Sequence, residues 1–239
     1  MNTRVQGVVG EYKKLRETVL VAEEQAVIAA MFHETWAPTV MDAELSARMG
    51  TSYARHSFQI IGWALRRELI LALMRMWDRR RDSLSVKHIG EWLSDDCNFE
   101  VLLQERAVGL HSKPALIMDM LRQTLSEPRQ RAAATISQYM RGGAKFDAFE
   151  RLRMVRHKRL AHRDLDTPPD AVDPTDTQVV ELFRDTLGLV TDLLHLVNGK
   201  AFDLEGAAGV YAHYAKYFWA TARGEQTEGH PNYRAPVME

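Results

Sequence analysis

Apolar residues recur at spacings of three and four along almost the whole chain, and no stretch alternates as a strand would. From residue 8 to 35, Val8, Tyr12, Leu15, Val19, Ala22, Ala26, Ala29 and Phe32 form one stripe, and Pro38 ends or bends the helix they predict. A second long helix is predicted from about Asp42 to Trp77, on the stripe Phe58, Ile61, Leu65, Leu69, Leu73 and Met76. The segment Asp78 to Ser85 reads as a polar turn, with Ser83 or Ser85 as the N-cap of a short helix, Val86 to Leu93. Two more pieces are expected at about 96 to 110 and 114 to 125, divided by His111-Ser112-Lys113-Pro114. Ser126-Glu127-Pro128 reads as another helix start, with proline in the first turn. That helix pauses at Gly142-Gly143 and resumes from Ala144 to about Arg163.

Four aspartates and two adjacent prolines make residues 164 to 173 a loop. Thr175-Asp176-Thr177-Gln178 has the form of a capping box that launches a helix from about Thr177 to Asn198, closed by Asn198-Gly199. A last helix, about Leu204 to Ala222, precedes a polar tail. With no repeat, low-complexity tract or clear linker, the pattern predicts an all-α fold. Residues 1–223 are expected to form a single domain, and 224–239 a poorly ordered tail.

Composition narrows the function classes. Hydrophobic residues make up 46% of the 239 and charged residues 26%, with a formal net charge of -1. A globally basic nucleic-acid binder is thereby excluded, and any attraction for RNA must come from a local patch. A single cysteine, Cys97, rules out an internal disulfide framework and is most simply a small core residue. The N-terminus lacks the apolar core of a signal peptide, and no segment reaches the roughly 18 unbroken apolar residues of a spanning helix. A soluble, cytoplasmic protein that does not engage a membrane is expected.

The local patch exists. Residues 141 to 163 hold eight basic side chains and two acids, a balance of +6 inside a nearly neutral chain. Of these, Lys145, Arg153, Lys158, Arg159 and Arg163 are expected to meet RNA phosphates, while Phe146, Phe149, Leu152 and Val155 supply a buried stripe. A basic face near a helix C-terminus is also favoured by the macrodipole without any ligand. Within the patch, Arg156 stands six residues before His162 and is followed by the polar His157. Arginine offers a permanent forked cation for phosphate, and histidine a base that titrates near neutrality. An arginine and a histidine at similar spacing also occur at Arg81/His88, Arg106/His111, Arg151/His157 and Arg223/His230. Arg156/His162 differs from them in its surroundings: Leu160-Ala161 before the histidine, and a helix exit at Arg163-Asp164.

With those surroundings the segment resembles the active-site motif of the HEPN superfamily, most closely its abortive-infection (AbiU-type) and toxin-like branches. A second similarity is the passage Leu71 to Asp78 followed by Ser83-Leu84-Ser85, which resembles an Asp-to-Ser-Leu passage after a long helix in such members. The resemblance spans about residues 10 to 200 and implies a HEPN-like bundle of long antiparallel helices with additional short ones, often dimeric. It also implies a metal-independent endoribonuclease without cofactors. Arg156 and His162 match the catalytic pair, and His157 matches the auxiliary polar position. RNA, a second copy of the chain, and an antitoxin or regulatory protein are the partners it implies. Toxin members modified at a tyrosine two residues beyond the histidine differ here, because that place is Asp164. Six residues turn about 240° on an ideal helix, so Arg156 and His162 converge only through a bend, a groove reached from both sides, or a dimer.

Other chemistry is thinner. Asp192 and His195 lie three apart on one helix, but hydrogen bonding is a commoner fate than metal ligation, and no ligand motif accompanies them. Trp63, Trp77, Trp92 and Trp219 are expected in the core or between subunits. The aromatic-rich last helix, with Tyr211, Tyr214, Tyr217 and Phe218, is expected to pack likewise rather than to stack bases. Arg79-Arg80-Arg81 reads as a solvated turn. The alternative to a nuclease is a non-catalytic helical module that binds RNA, nucleotide or a protein partner.

Overall fold

A computed structural model describes residues 3–50, 52–78, 86–108, 114–156, 173–222 and 224, and all regular structure among them is helical. The helices are α1 (Thr3–Trp36), α2 (Pro38–Met41), α3 (Ala43–Gly50), α4 (Arg55–Met76), α5 (Val86–Ser94), α6 (Asp96–Val108), α7 (Pro114–Gln138), α8 (Phe146–Val155), α9 (Asp176–Leu193) and α10 (Leu204–Thr221). None is long and apolar enough to cross a membrane.

α1 is the spine. Its predicted stripe is buried from Tyr12 to Ala29, and it packs against α4, α6, α9 and α10. The side-chain links fix the directions. Arg75 reaches back to Gln25 while Gly62 lies against Thr39, so α4 is antiparallel to α1. His33 stacks on Phe183 while Tyr12 donates to the Val197 carbonyl, so α9 is antiparallel to α1 as well. α10 runs parallel to α1, its Trp219 indole N–H donating to the Thr35 carbonyl. α7 covers α5, α6 and α9, and the short α8 is wedged between α4 and α9. This is the all-α bundle of long antiparallel and shorter helices that the pattern predicts.

Boundaries differ where local polar groups outbid periodicity. The single helix expected from Asp42 to Trp77 is broken into α3 and α4. Ser52 ends α3 by directing both its backbone N–H and its hydroxyl at the Met49 carbonyl. The break lets Leu45 and Met49 pack with Phe58 and Trp219, and Arg48 donates to the Trp219 and Ala222 carbonyls at the end of α10. Ser126-Glu127-Pro128 does not start a helix: Pro128 lies inside α7. Its ring leaves the carbonyl four residues earlier unpaired, but that residue, Thr124, is exposed. Leu121, Leu125, Ala132 and Ile136 bury a continuous stripe on either side of the proline, which holds the helix together.

Gly142-Gly143 is a true break between α7 and α8. Gly142 has φ +88°, and a Cβ on Gly143 would come within 2.3 Å of the Ser137 and Gln138 carbonyl oxygens. The capping box at Thr175 and Gln178 forms in both directions. α9 ends in a π-turn (Leu194–Asn198) and Gly199 at φ +67°, with Arg106 donating to the His195 and Leu196 carbonyls at 2.7 Å each.

One burial expectation is corrected, and two sets of side chains expected in the core or between subunits lie outside the core of the single chain. Cys97 is exposed, because it sits in the solvent-facing first turn of α6, where Asp95 accepts its N–H. Trp63 is exposed on the outer side of α4, whereas Trp77 and Trp219 are buried and Trp92 is packed against the core. On α10 only Trp219 of the bulky aromatics is buried. The tail beyond residue 224, the 79–85 turn and the His111-Ser112-Lys113 divider lie outside the described residues.

Candidate functional site

α8 owes its placement to two fully buried side chains, Phe149 and Leu152, on one face of a helix half of whose remaining positions are charged. Phe149 enters an aromatic cluster with Trp77, at the end of α4, and Tyr139, in the turn after α7. The cluster is locked by a buried relay. The Trp77 indole N–H donates to the Thr186 hydroxyl at 2.9 Å, and that hydroxyl donates to the Leu182 carbonyl at 2.6 Å. Thr186 is itself fully buried on α9, so α4, α8 and α9 meet at this point.

Next to this anchor, Asp78 and Arg156 face each other from the ends of α4 and α8. Arg156 Nη2 donates to Asp78 Oδ2 at 3.0 Å, and the two side chains are only 19% and 13% exposed. The backbone stays right-handed at Arg156, whose N–H is shared between the Leu152 and Arg153 carbonyls. Among the described residues the guanidinium is held through a single nitrogen. Among the described residues its Nη1 and Nε have no hydrogen-bond partner, and a guanidinium fork can take a phosphate oxygen through such N–H groups. The two passages that carry the family resemblance, one ending at Asp78 and the other containing Arg156, thus meet in space although 78 residues separate them.

The remaining predicted residues divide. Lys145 donates to Asp185 Oδ2 at 2.6 Å and to Glu181 at 2.8 Å, and Tyr139 donates to the same Asp185 oxygen at 2.5 Å. Burial, and then the Asp185 carboxylate, hold the Tyr139 hydroxyl protonated far above the ordinary tyrosine range. Burial pushes the Lys145 ammonium down, but its hydrogen bonds to Asp185 and Glu181 outweigh that and leave it above the usual lysine value. Arg153 pairs with Glu150 one turn back on α8. The charges of Lys145 and Arg153 are therefore engaged within the fold. His162, His157, Lys158, Arg159 and Arg163 lie outside the described residues.

Sequence reasoning missed the two carboxylates that organise the region. Asp78 had a signal, an acid placed where an apolar stripe ends inside a passage already singled out. Asp185, on α9 between Arg184 and Thr186, had none. Among the described residues no three His, Cys, Asp or Glu side chains gather as metal ligands, and Asp192 is taken by a two-point pairing with Arg131.

Comparison with known families matches a model of the HEPN AbiU2 family over residues 12–218. Neither the curated proteins nor the solved structures gave a match. The matched span runs from the first buried turn of α1 to the last turn of α10 and contains both Asp78 and Arg156. The chain therefore belongs to the AbiU2 family of HEPN proteins.

Proposed function

We propose that this protein is a metal-independent endoribonuclease of the phage-defence or growth-arrest type, with Arg156 and His162 as its central residues and RNA as its substrate. The observation that carries the proposal is the Arg156–Asp78 pair. It fixes the position of one cation at a helix end through one of its three nitrogens among the described residues. A guanidinium held this way pays little reorganisation when charge builds on a phosphate.

In the proposed reaction a ribose 2'-hydroxyl loses its proton to His162, and its oxygen bonds to the adjacent phosphorus. The bond from phosphorus to the 5'-oxygen then breaks, and a proton passes to the departing oxygen. Arg156 neutralises the extra negative charge on the phosphorane, and His157 orients the phosphate or its catalytic neighbour. The products are a 2',3'-cyclic phosphate and a 5'-hydroxyl. No metal or cofactor takes part, and an antitoxin or regulatory protein would restrain the activity. Incubation with a structured RNA in excess chelator tests this through the product ends: cyclic phosphates support it, whereas 3'-hydroxyl ends contradict it.

A second reading, a non-catalytic module that binds RNA, nucleotide or a protein, is favoured by the internal pairing of Lys145 and Arg153, which weakens the basic surface expected to track RNA. Binding of RNA without cleavage would support that reading.

A further inference from the structure

α4 sets large apolar side chains in solvent among arginines. Trp63 is 68% exposed and Ile60 60%. From residue 45 to 67 the chain holds Arg48, Arg55, Arg66 and Arg67 and no acid, although acids outnumber bases over the whole sequence. Arg48 caps α10, and Arg66 is spent on Asp176 and the Pro174 carbonyl. Arg55 and Arg67 stand at the surface. Glu68 lies 3.8 Å from Arg67 with both side chains about half exposed, a pairing that water leaves weak. Further along, Arg75 donates to the neutral Gln25 at 3.5 Å. At about 100° per residue, His56, Ile60, Trp63 and Arg67 fall on one strip about 60° wide, and Asp78 continues its line. Trp63 stands about 20 Å from the C-terminal end of α4. Met74, on the same line, is buried, so the open strip stops one turn short of the pair of Asp78 with Arg156.

We propose that Trp63 is a base-stacking subsite for single-stranded RNA, that Arg67 takes a phosphate beside the stacked base, and that the strand runs along α4 towards Arg156. This rests on RNA as the ligand, as proposed above, but not on its cleavage. Charge decides between occupants of the strip. A polyanion gains from Arg55, Arg67 and Arg75, whereas the same face of a second copy would set arginines against arginines. Lys145 and Arg153, expected to hold phosphates, are engaged within the fold, and this strip supplies cations in their place. An exposed indole beside arginines offers a ring for a base and charge for the backbone around it. Every base has a π-face, so stacking adds affinity without reading sequence. The subsite therefore selects unpaired RNA over a duplex, whose bases are already stacked on one another.

Fluorescence anisotropy with the full chain and a labelled single-stranded 2'-O-methyl oligonucleotide of about twelve nucleotides tests it. The methyl group removes the attacking hydroxyl, so binding is read apart from cleavage. Trp63→Ala should weaken binding by about tenfold or more, whereas Trp63→Phe, which keeps a ring, should retain most of it. Arg67→Ala should lower the slope of log affinity against log salt by about 0.7, the share of one phosphate on a single strand. Binding to wild type should quench part of the tryptophan emission, and in Trp63→Phe that part should be missing. Because Trp63 is exposed, both of its variants should melt with the wild type. Unchanged affinity in Trp63→Ala overturns the inference, as does a wild type that binds no single strand. A Trp63→Ala variant that sediments differently but binds RNA as wild type does also overturns it, by making the face a contact between proteins. Binding through Trp63 without cleavage of unmodified RNA supports the subsite while contradicting the nuclease.

Discussion

Removing either partner of the Asp78–Arg156 pair should cost stability that is not additive, and the size of the shortfall can be worked from the geometry. Two unit charges about 4 Å apart attract by about 4 kcal/mol at the effective dielectric of 20 typical of sites near a protein surface. Desolvation takes back much of this. Fully exposed pairs retain about 0–1 kcal/mol, whereas removing one partner of a buried pair costs about 3–5 kcal/mol. With side chains 19% and 13% exposed, the pair belongs between these limits, at a coupling of about 1.5–2 kcal/mol. In a double-mutant cycle by urea denaturation, Asp78→Ala and Arg156→Ala should each destabilise by about 2 kcal/mol, and the double variant by far less than their sum. Each single change should lower the melting temperature by about 4–8 °C for a chain of this length. A coupling below about 0.5 kcal/mol would refute the claim that the two motif passages are held together through these charges.

Two further predictions concern the anchor behind the pair. Thr186→Val keeps the shape of the side chain but leaves the buried Trp77 N–H without its acceptor, so it should destabilise by about 1–3 kcal/mol in the same denaturation assay; an unchanged midpoint would mean that the relay does not hold α4 to α9. Tyr139 keeps its proton in the folded protein far above pH 10 and loses it near pH 10 when unfolded. Above pH 10 the folded state therefore binds more protons, and stability should fall as pH rises, by about 1.4 kcal/mol per pH unit from this group. Tyr139→Phe should flatten that decline, as read from denaturation midpoints between pH 9 and 11.

The fold was legible because burial in a helical bundle writes itself as period. α1 shows it best, since each residue of its predicted stripe from Tyr12 to Ala29 is buried. What escaped were choices made by polar groups over distance. Ser52 stops α3 through a single side-chain bond, and Arg48 then caps α10, 171 residues away. Pro128 has the local chemistry of a helix start, but the stripe on both sides of it outweighs the lost backbone bond. Arg156 can be named from its setting and Asp78 stands in a passage the sequence singles out, but their pairing is not legible, because an ion pair between two helix ends leaves no periodic trace in either. Lys145 looked like a phosphate ligand for the same reason, as Glu181 and Asp185 belong to a helix that begins about thirty residues later.

The central claim is that Arg156 and His162 form a ribonuclease site, and the most direct measurement is cleavage of a labelled structured RNA in excess chelator by wild type, Arg156→Ala and His162→Ala. Circular dichroism would establish that all three are folded. The account predicts cleavage by wild type with cyclic phosphate ends, and loss of at least about a hundredfold in both variants. Equal activity in all three would contradict the proposed site, and no cleavage by wild type across several RNAs would contradict the nuclease itself.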